Sequence, residues 1–329
     1  MKGAKVLFGA VVLAVLLAAA GCERGTPPPA VGEPTNSAHT RPKKTYKDLI
    51  IGYVQLGAES EWRSANTASV KEAAEALGVE LRFSDAQQKQ ENQIRAIRSL
   101  VAQRVDVIGV APLTETGWDE VFREAKAAGI PIILVDRRAD VPPDLYATLM
   151  GSDFLEEGRK AARIMAELTN GQARIVELVG TIDSAPANDR YKGFREILQD
   201  YPGMEIIDSR SGDFTVAQGK EVMVSFLKEH GSSITALYAH NDDMALGAIK
   251  AIEAYGLRPG VDIKIVSVDA TRGAFEAMIA GQLNATVECN PLLGPKFLEL
   301  ALKVANDEPS EEGVFFPENA AEILPTRKY

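Results

Sequence analysis

Polar and aromatic side chains recur directly after the apolar segments of this sequence, where the strands of a parallel sheet would end. They are Glu59, Glu61, Trp62 and Arg63 after the first segment, Gln88 after the second, Asp136 and Arg137 after the fourth, and further on Arg190, Phe214, Asn241, Asp269, Glu288 and Cys289. Carboxylates, amides and guanidinium groups exchange hydrogen bonds with adjacent hydroxyls, and a flat aromatic ring packs against the C–H face of a sugar. Hydrogen bonds to charged groups contribute about 1.5–3 kcal/mol each, so a few of them could hold a small polyol.

The same sequence carries no recognisable catalytic set. No Gly-x-Gly-x-x-Gly, Walker or Gly-x-Ser-x-Gly pattern occurs, and the three His residues lack metal-ligand spacing, so we predict no metal and no cofactor. Asp242-Asp243 comes nearest to the carboxylate pair of a glycosidase. Acids at the start of a helix more simply satisfy its free N–H groups and dipole. Binding is therefore favoured over catalysis, with a glycosidase-like enzyme as the weaker alternative.

Length and charge bound the class of protein. The chain has 329 residues, of which 46% are hydrophobic, so it is long enough for two domains with real cores. Its formal net charge of −10 argues against a nucleic-acid partner, because a phosphate backbone needs clustered Lys and Arg.

The first 21 residues differ in kind from the rest. Lys2 and Lys5 precede an apolar run that is too short to span a membrane and ends in small residues before Cys22. This predicts a signal peptide over residues 1–21. The small residues before Cys22 resemble a bacterial lipobox, with Ala19 where that motif usually has Leu. The resemblance implies export to the periplasm or cell surface and a lipid anchor on Cys22 in a bacterial membrane; a plain signal peptide is the alternative.

The chain after the signal peptide begins with a tether and continues with alternating strands and helices. Residues 22–46 are poor in apolar side chains and predict the flexible tether. Strands are then predicted at 49–54, 79–83, 105–110, 130–135, 175–179, 204–207, 234–238, 263–268 and 285–287, with amphipathic helices between them. Continuous apolar strands alternating with helices indicate parallel sheets covered on both faces. So many strands exceed the usual size of one open sheet and the eight of a (β/α)8 barrel, which favours two doubly wound lobes.

A set of segments gives the chain a family resemblance. They are Asp85-Ala86-Gln87-Gln88, Val135-Asp136-Arg137, Gly212-Asp213-Phe214, His240-Asn241-Asp242-Asp243 and Val268-Asp269. From about residue 47 onward the chain resembles type I periplasmic sugar-binding proteins of the ribose-binding group. Through Glu59-Ser60-Glu61-Trp62-Arg63 and Ser211-Gly212-Asp213-Phe214-Thr215 it is most similar to the galactofuranose-binding receptors of bacterial ABC importers.

The resemblance implies an α/β fold of two Rossmann-like lobes joined by three hinge crossings, with a monosaccharide between them. The N-terminal lobe would comprise 47–152 plus about 289–317, and the C-terminal lobe 153–288 plus about 318–329. A monomeric receptor that delivers sugar to an ABC permease is expected. A sugar-sensing receptor that signals to a membrane protein is the alternative, because its binding site would look the same. Gene repressors share this fold, but they carry a DNA-reading segment where this chain has an export signal.

The resemblance also assigns roles to single residues. Trp62 and Arg63 are expected as first-loop contacts, Gln88 as an amide contact, Asp136 and Arg137 as the main hydroxyl-binding pair of the first lobe, and Arg190, Phe214, Asn241 and Asp269 as the contacts of the second. Glu59, Glu61, Glu288 and Cys289 are further candidates. Glu61-Trp62-Arg63 replaces the aromatic pair of ribose binders, and the segment through Pro291 and Gly294 is one residue short. A hexofuranose is therefore expected rather than ribose.

Overall fold

Parallel strands and α-helices alternate along the part of the chain that the structure describes. The computed structural model describes residues 42–309 and the strand 314–315. The strands are β1 Ile50–Gln55, β2 Glu80–Asp85, β3 Val107–Val110, β4 Ile132–Val135, β5 Thr148–Gly151, β6 Ala173–Val179, β7 Met204–Ser211, β8 Ala236–Ala239, β9 Lys264–Asp269, β10 Ala285–Glu288 and β11 Val314–Phe315. The helices are α1 Glu61–Leu77, α2 Gln90–Ala102, α3 Asp119–Ala127, α4 Phe154–Thr169, α5 Ala185–Leu198, α6 Val216–His230, α7 Asp242–Tyr255, α8 Arg272–Ile279 and α9 Gly294–Ala305.

The strands form two separate open sheets. One has the order β11-β5-β4-β3-β1-β2 and the other the order β10-β9-β8-β6-β7, and every pairing is parallel. The central strands β3, β4 and β8 are buried along their whole length, because helices cover both faces of each sheet. The prediction of two doubly wound α/β lobes is confirmed, and the barrel alternative is wrong.

Two of the expected hinge crossings lie within the described residues. After β5 the chain passes to α4, which packs against α5, β9 and β10 of the second sheet. After β10 it returns to α9, which packs against α1 and β3 of the first. The strand β11 pairs with β5, so the chain is still at the first sheet there. The third crossing, residues 318–329, the signal peptide and Cys22 lie outside the described residues.

Several helices begin at the sheet edges that face the other lobe. Ser60 caps α1 by accepting a hydrogen bond from the Arg63 N–H, and Asn241 caps α7 by accepting one from Met244. Helix α1 therefore begins at Glu61, nine residues before its first strongly apolar position at Val70. Trp62 and Arg63, expected in a loop, lie instead in the first turn of this helix. No helix of residues 42–309 is both long enough and apolar enough to cross a membrane.

Candidate ligand-binding cleft

A small cavity lies where the carboxyl ends of the two sheets face each other. It is lined by Glu59, Ser60, Trp62, Arg63, Asp136, Arg137, Phe154, Pro186, Arg190, Phe214, Asn241, Asp269 and Cys289. The six charged side chains among these are each 5% exposed or less. In open parallel sheets ligands bind outside the carboxyl ends of the strands, so the cavity lies where this fold places a ligand.

Four charged residues of the first lobe form one side of the cavity. The Arg63 guanidinium donates from Nη2 to Asp136 Oδ2 at 2.7 Å and from Nε to Glu59 Oε1 at 3.2 Å. Burial alone would lower the pKa of Arg63, but the carboxylates of Asp136 and Glu59 outweigh it and hold that pKa above its usual value. Burial and the neighbouring Arg63 charge lower the pKa of Arg137 to about 10, so Arg137 is still a cation at neutral pH.

Three polar atoms of this group have no hydrogen-bond partner among the described residues. They are the acceptor Glu59 Oε2 and the donors Arg63 Nη1 and Arg137 Nε, and all three are buried. A buried polar group left unpaired costs about 1–3 kcal/mol or more when charged, so most such groups in folded proteins are satisfied. Donors and an acceptor side by side match the hydroxyl group, which both accepts and donates.

Arg190 organises the side of the cavity formed by the second lobe. Its Nε donates to Glu157 Oε2 at 2.8 Å, and its Nη1 donates to the carbonyl oxygen of His240 at 2.6 Å. Its Nη2 lies 3.6 Å from Asp269 Oδ1. Burial raises the pKa of Asp269 and the Arg190 charge opposes that rise. Because three groups hold it, the guanidinium of Arg190 is fixed before any ligand arrives.

The aromatic side chains are held by close neighbours. The Arg137 guanidinium lies 5.4 Å from the centre of the Phe214 ring, which brings the two lobes into contact. The ring also packs against Gly180, where an added Cβ would lie 1.9 Å from Phe214 Cζ. Trp62 donates from Nε1 to the Cys289 carbonyl oxygen at 2.7 Å, which ties α1 to the second crossing.

Three residues that line the cavity have strained backbone. Asp136, Phe214 and Asp269 have φ angles of 67°, 59° and 122°, in a region that residues with a side chain rarely adopt. Such conformations cost about 1–3 kcal/mol each and cluster at functional sites. These three residues lie at or within three residues of the ends of β4, β7 and β9.

Ten of the thirteen predicted site residues line this cavity: Glu59, Trp62, Arg63, Asp136, Arg137, Arg190, Phe214, Asn241, Asp269 and Cys289. Gln88 lies outside that lining, because a turn with φ of 57° places its side chain against Gly57. Glu61 and Glu288 also lie outside it. Three residues that line the cavity were not predicted: Ser60, Phe154 and Pro186. Ser60 and Pro186 are typical of helix starts, and Phe154 is typical of the apolar face of a helix, so none of them indicated a ligand contact.

Asp242 and Asp243 lie in the first turn of α7, as expected, but their carboxylates accept hydrogen bonds from residues outside that helix. Asp242 accepts from the Thr271 N–H at 2.7 Å and from Thr286 Oγ1 at 2.8 Å. Asp243 accepts from the backbone N–H of Glu61 in the first lobe, at 3.1 Å to Oδ2. Neither lines the cavity, so they do not form a catalytic pair there.

Comparison with known proteins places the chain in a family. A model described as a periplasmic binding protein domain matches residues 51–309. The galactofuranose-binding protein YtfQ of Escherichia coli is 47% identical over 254 residues, covering 76% of this chain and 80% of that protein.

Solved structures give the same result. A Mycobacterium smegmatis protein in complex with β-D-fucofuranose is 49% identical, with a TM-score of 0.83 over 85% of this chain and 95% of its own. The periplasmic binding component of the arabinose ABC transporter of Shewanella sp. ANA-3, bound to α- and β-L-arabinofuranose, is 43% identical, with a TM-score of 0.81 over the same shares. These relatives are binding proteins and not enzymes. The chain belongs to the periplasmic binding protein family.

Proposed function

We propose that this protein is the lipid-anchored receptor of a bacterial ABC sugar importer and that its cleft binds a monosaccharide in the furanose form, galactofuranose or a close relative. The observation that carries this proposal is a set of buried polar atoms without a hydrogen-bond partner among the described residues: the donors Arg63 Nη1 and Arg137 Nε and the acceptor Glu59 Oε2. All three belong to residues that line the same cavity between the lobes. One copy of the chain supplies both sides of the cavity, so a monomer suffices.

The charges around the cavity favour a neutral ligand. Arg63, Arg137 and Arg190 supply three positive charges, and the carboxylates of Glu59, Asp136 and Glu157 beside them offset these charges. A phosphorylated sugar or a uronic acid would add an uncompensated buried charge, which is costly. Hydroxyl groups need no such compensation.

Specific residues have defined capacities toward such a ligand. Asn241 already accepts from the Met244 N–H at 3.0 Å and donates to the Phe214 carbonyl oxygen at 3.1 Å. Its amide therefore keeps one N–H and one acceptor position for a hydroxyl. Phe214, packed against Gly180 and lining the cavity, offers apolar ring surface to the C–H groups of the sugar. Three named relatives bind galactofuranose, fucofuranose and arabinofuranose, which supports a furanose ring here.

Calorimetric titration tests the proposal. The chain from Lys43 onward is titrated with methyl furanosides and methyl pyranosides of galactose, arabinose and ribose. We expect a galactofuranoside to bind at least tenfold more tightly than any pyranoside. At 100 times its Kd, a ligand should add about 2.7 kcal/mol to the free energy of unfolding. Binding of no sugar in this panel would contradict the proposal.

Asp136→Ala is the matching variant. We expect it to weaken sugar binding at least tenfold, because it removes a hydrogen bond to a charged group, worth about 1.5–3 kcal/mol. Asp119→Ala is the control, since Asp119 is an exposed residue of the first lobe outside the cavity. Equal affinities of the two variants would remove Asp136 from the binding site.

Anchoring is tested separately on the full-length chain. In a bacterial host fed labelled palmitate, we expect the label on the wild-type chain and none on Cys22→Ser. The variant should also be released from the membrane fraction. An unlabelled wild-type chain would indicate a plain signal peptide.

A further inference from the structure

Four side chains connect the two lobes at the rim of the cleft. We call them the rim clasp: Glu115 and Arg138 of the first lobe, Asn188 and Asp189 of the second. Arg138 donates to both carboxylate oxygens of Asp189, with Nη2 and Oδ1 2.9 Å apart. It also lies 2.6 Å from Glu115 Oε1, while Asn188 Nδ2 donates to Glu115 Oε2 at 2.6 Å. The carbonyl oxygen of Asp183 accepts from the Glu115 N–H at 2.9 Å, which adds a backbone bond between the lobes.

The clasp flanks the cavity without entering it. Arg138 follows the cavity residues Asp136 and Arg137, and Asp189 directly precedes Arg190. None of the four clasp residues lines the cavity itself. They therefore connect the segments that carry the binding residues of each lobe and act on the ligand only through those segments.

A second pocket borders both the clasp and the cavity. It measures about 240 Å³ and is lined by Arg138 and Asp189 of the clasp together with Asp136 and Phe154, which also line the cavity. A ligand leaving the cavity on this side would pass the clasp. The clasp thus stands at one boundary between the cavity and the solvent.

We propose that the rim clasp sets the residence time of the bound ligand by stabilising the closed arrangement of the lobes. This inference rests on the proposed function. Every clasp contact that joins the lobes must break when they separate, whereas contacts within a lobe persist. The hydrogen bonds to Asp189 and Glu115 raise the pKa of Arg138, so Arg138 remains a cation at neutral pH. An exposed ion pair alone contributes little, but linked bidentate contacts can contribute measurably.

Stopped-flow release kinetics test the clasp in the chain from Lys43 onward. We expect Arg138→Met to release sugar about tenfold faster, with an association rate within twofold of wild type, because affinity differences within one site lie mainly in the dissociation rate. The double variant Arg138→Met/Asp189→Asn should release no faster than the single one, since the pair acts as a unit. Raising the salt concentration should accelerate release from wild type and much less from Arg138→Met.

Arg98→Met is the matched control. Arg98 also pairs with two carboxylates, those of Glu120 and Glu124, but all three belong to the first lobe. We expect wild-type release rates from it. Unchanged release from Arg138→Met, or equal acceleration in Arg98→Met, would overturn the clasp while leaving sugar binding intact. Failure of the wild-type chain to bind any sugar would instead refute the proposed function and, with it, the clasp's role.

Discussion

The contact between Gly180 and Phe214 makes a sharp prediction. A Cβ added at Gly180 would lie 1.9 Å from Phe214 Cζ and 2.3 Å from its two Cε atoms. Carbon atoms in contact prefer about 3.5–4.0 Å, so in Gly180→Ala the ring must move by roughly 1.5–2 Å. Phe214 is only 4% exposed and borders the cavity, so the ring moves into the space of the ligand or strains the loop behind it.

Overpacking of this kind costs about 1–3 kcal/mol. We expect Gly180→Ala to lower the free energy of unfolding by about that amount, measured by urea denaturation, and to weaken sugar binding about tenfold or more, measured by calorimetry. In a Phe214→Ala background the clash is absent, so the same substitution should change little. An unchanged affinity of Gly180→Ala, or an equal cost in both backgrounds, would refute the reasoning.

Three further predictions follow from buried titratable groups. Burial raises the pKa of Asp243 to about 7, so the stability gained from its bound proton is lost as pH rises through 7. By calorimetry, the free energy of unfolding should fall between pH 5 and 8 by about 1–2 kcal/mol more in wild type than in Asp243→Asn. Equal slopes in the two proteins would contradict this. Arg195 donates to both oxygens of the fully buried Glu177 at 2.8 Å. By urea denaturation, Arg195→Met should lower the free energy of unfolding by about 3 kcal/mol, and Arg174→Met, which removes an exposed side chain, by less than about 0.5 kcal/mol. Equal losses in the two variants would count against this. Cys289, 2% exposed in the cavity wall, should be alkylated by iodoacetamide at least tenfold more slowly with sugar bound, and a rate unaffected by sugar would place it outside the site.

The two-lobed fold was predictable because each buried strand reads as a continuous apolar run. Ile132–Val135 and Ala236–Ala239 are examples, and both are central strands. The strand Thr148–Gly151 was not predicted, because Thr148 and Gly151 leave only two strongly apolar residues in a row between them. Trp62 and Arg63 were expected in a loop, because this first turn of α1 faces the cleft and the regular apolar spacing of the helix begins only at Val70.

Most of the site was predictable because its side chains directly follow strands. Asp136 and Asp269 illustrate the rule, since the ends of β4 and β9 fix their positions independently of the conformation of the following loop. Glu157, which holds Arg190, was not predictable, because it lies on a helix that a different strand precedes and meets Arg190 only through the packing of α4 on α5. The Gly180 contact was hidden for the same reason, since it joins loops far apart in sequence.

The rim clasp shows the limit of reasoning from strand ends. Arg138 follows Asp136 and Arg137 but is not among the predicted site residues, and its side chain is 40% exposed. Its contacts with Asp189 depend on how closely the lobes approach, which no local pattern encodes. Local sequence therefore predicts which residues face the cleft, whereas contacts between the lobes require the structure.

A co-crystal structure with methyl β-D-galactofuranoside tests most directly whether the cavity between the lobes is the sugar-binding site. The sugar ring should lie between the lobes, with hydroxyl groups within hydrogen-bond distance of both Asp136 and Asn241 and with Glu59 Oε2 newly paired. A sugar that contacts only one lobe, or that binds away from this cavity, would contradict the account.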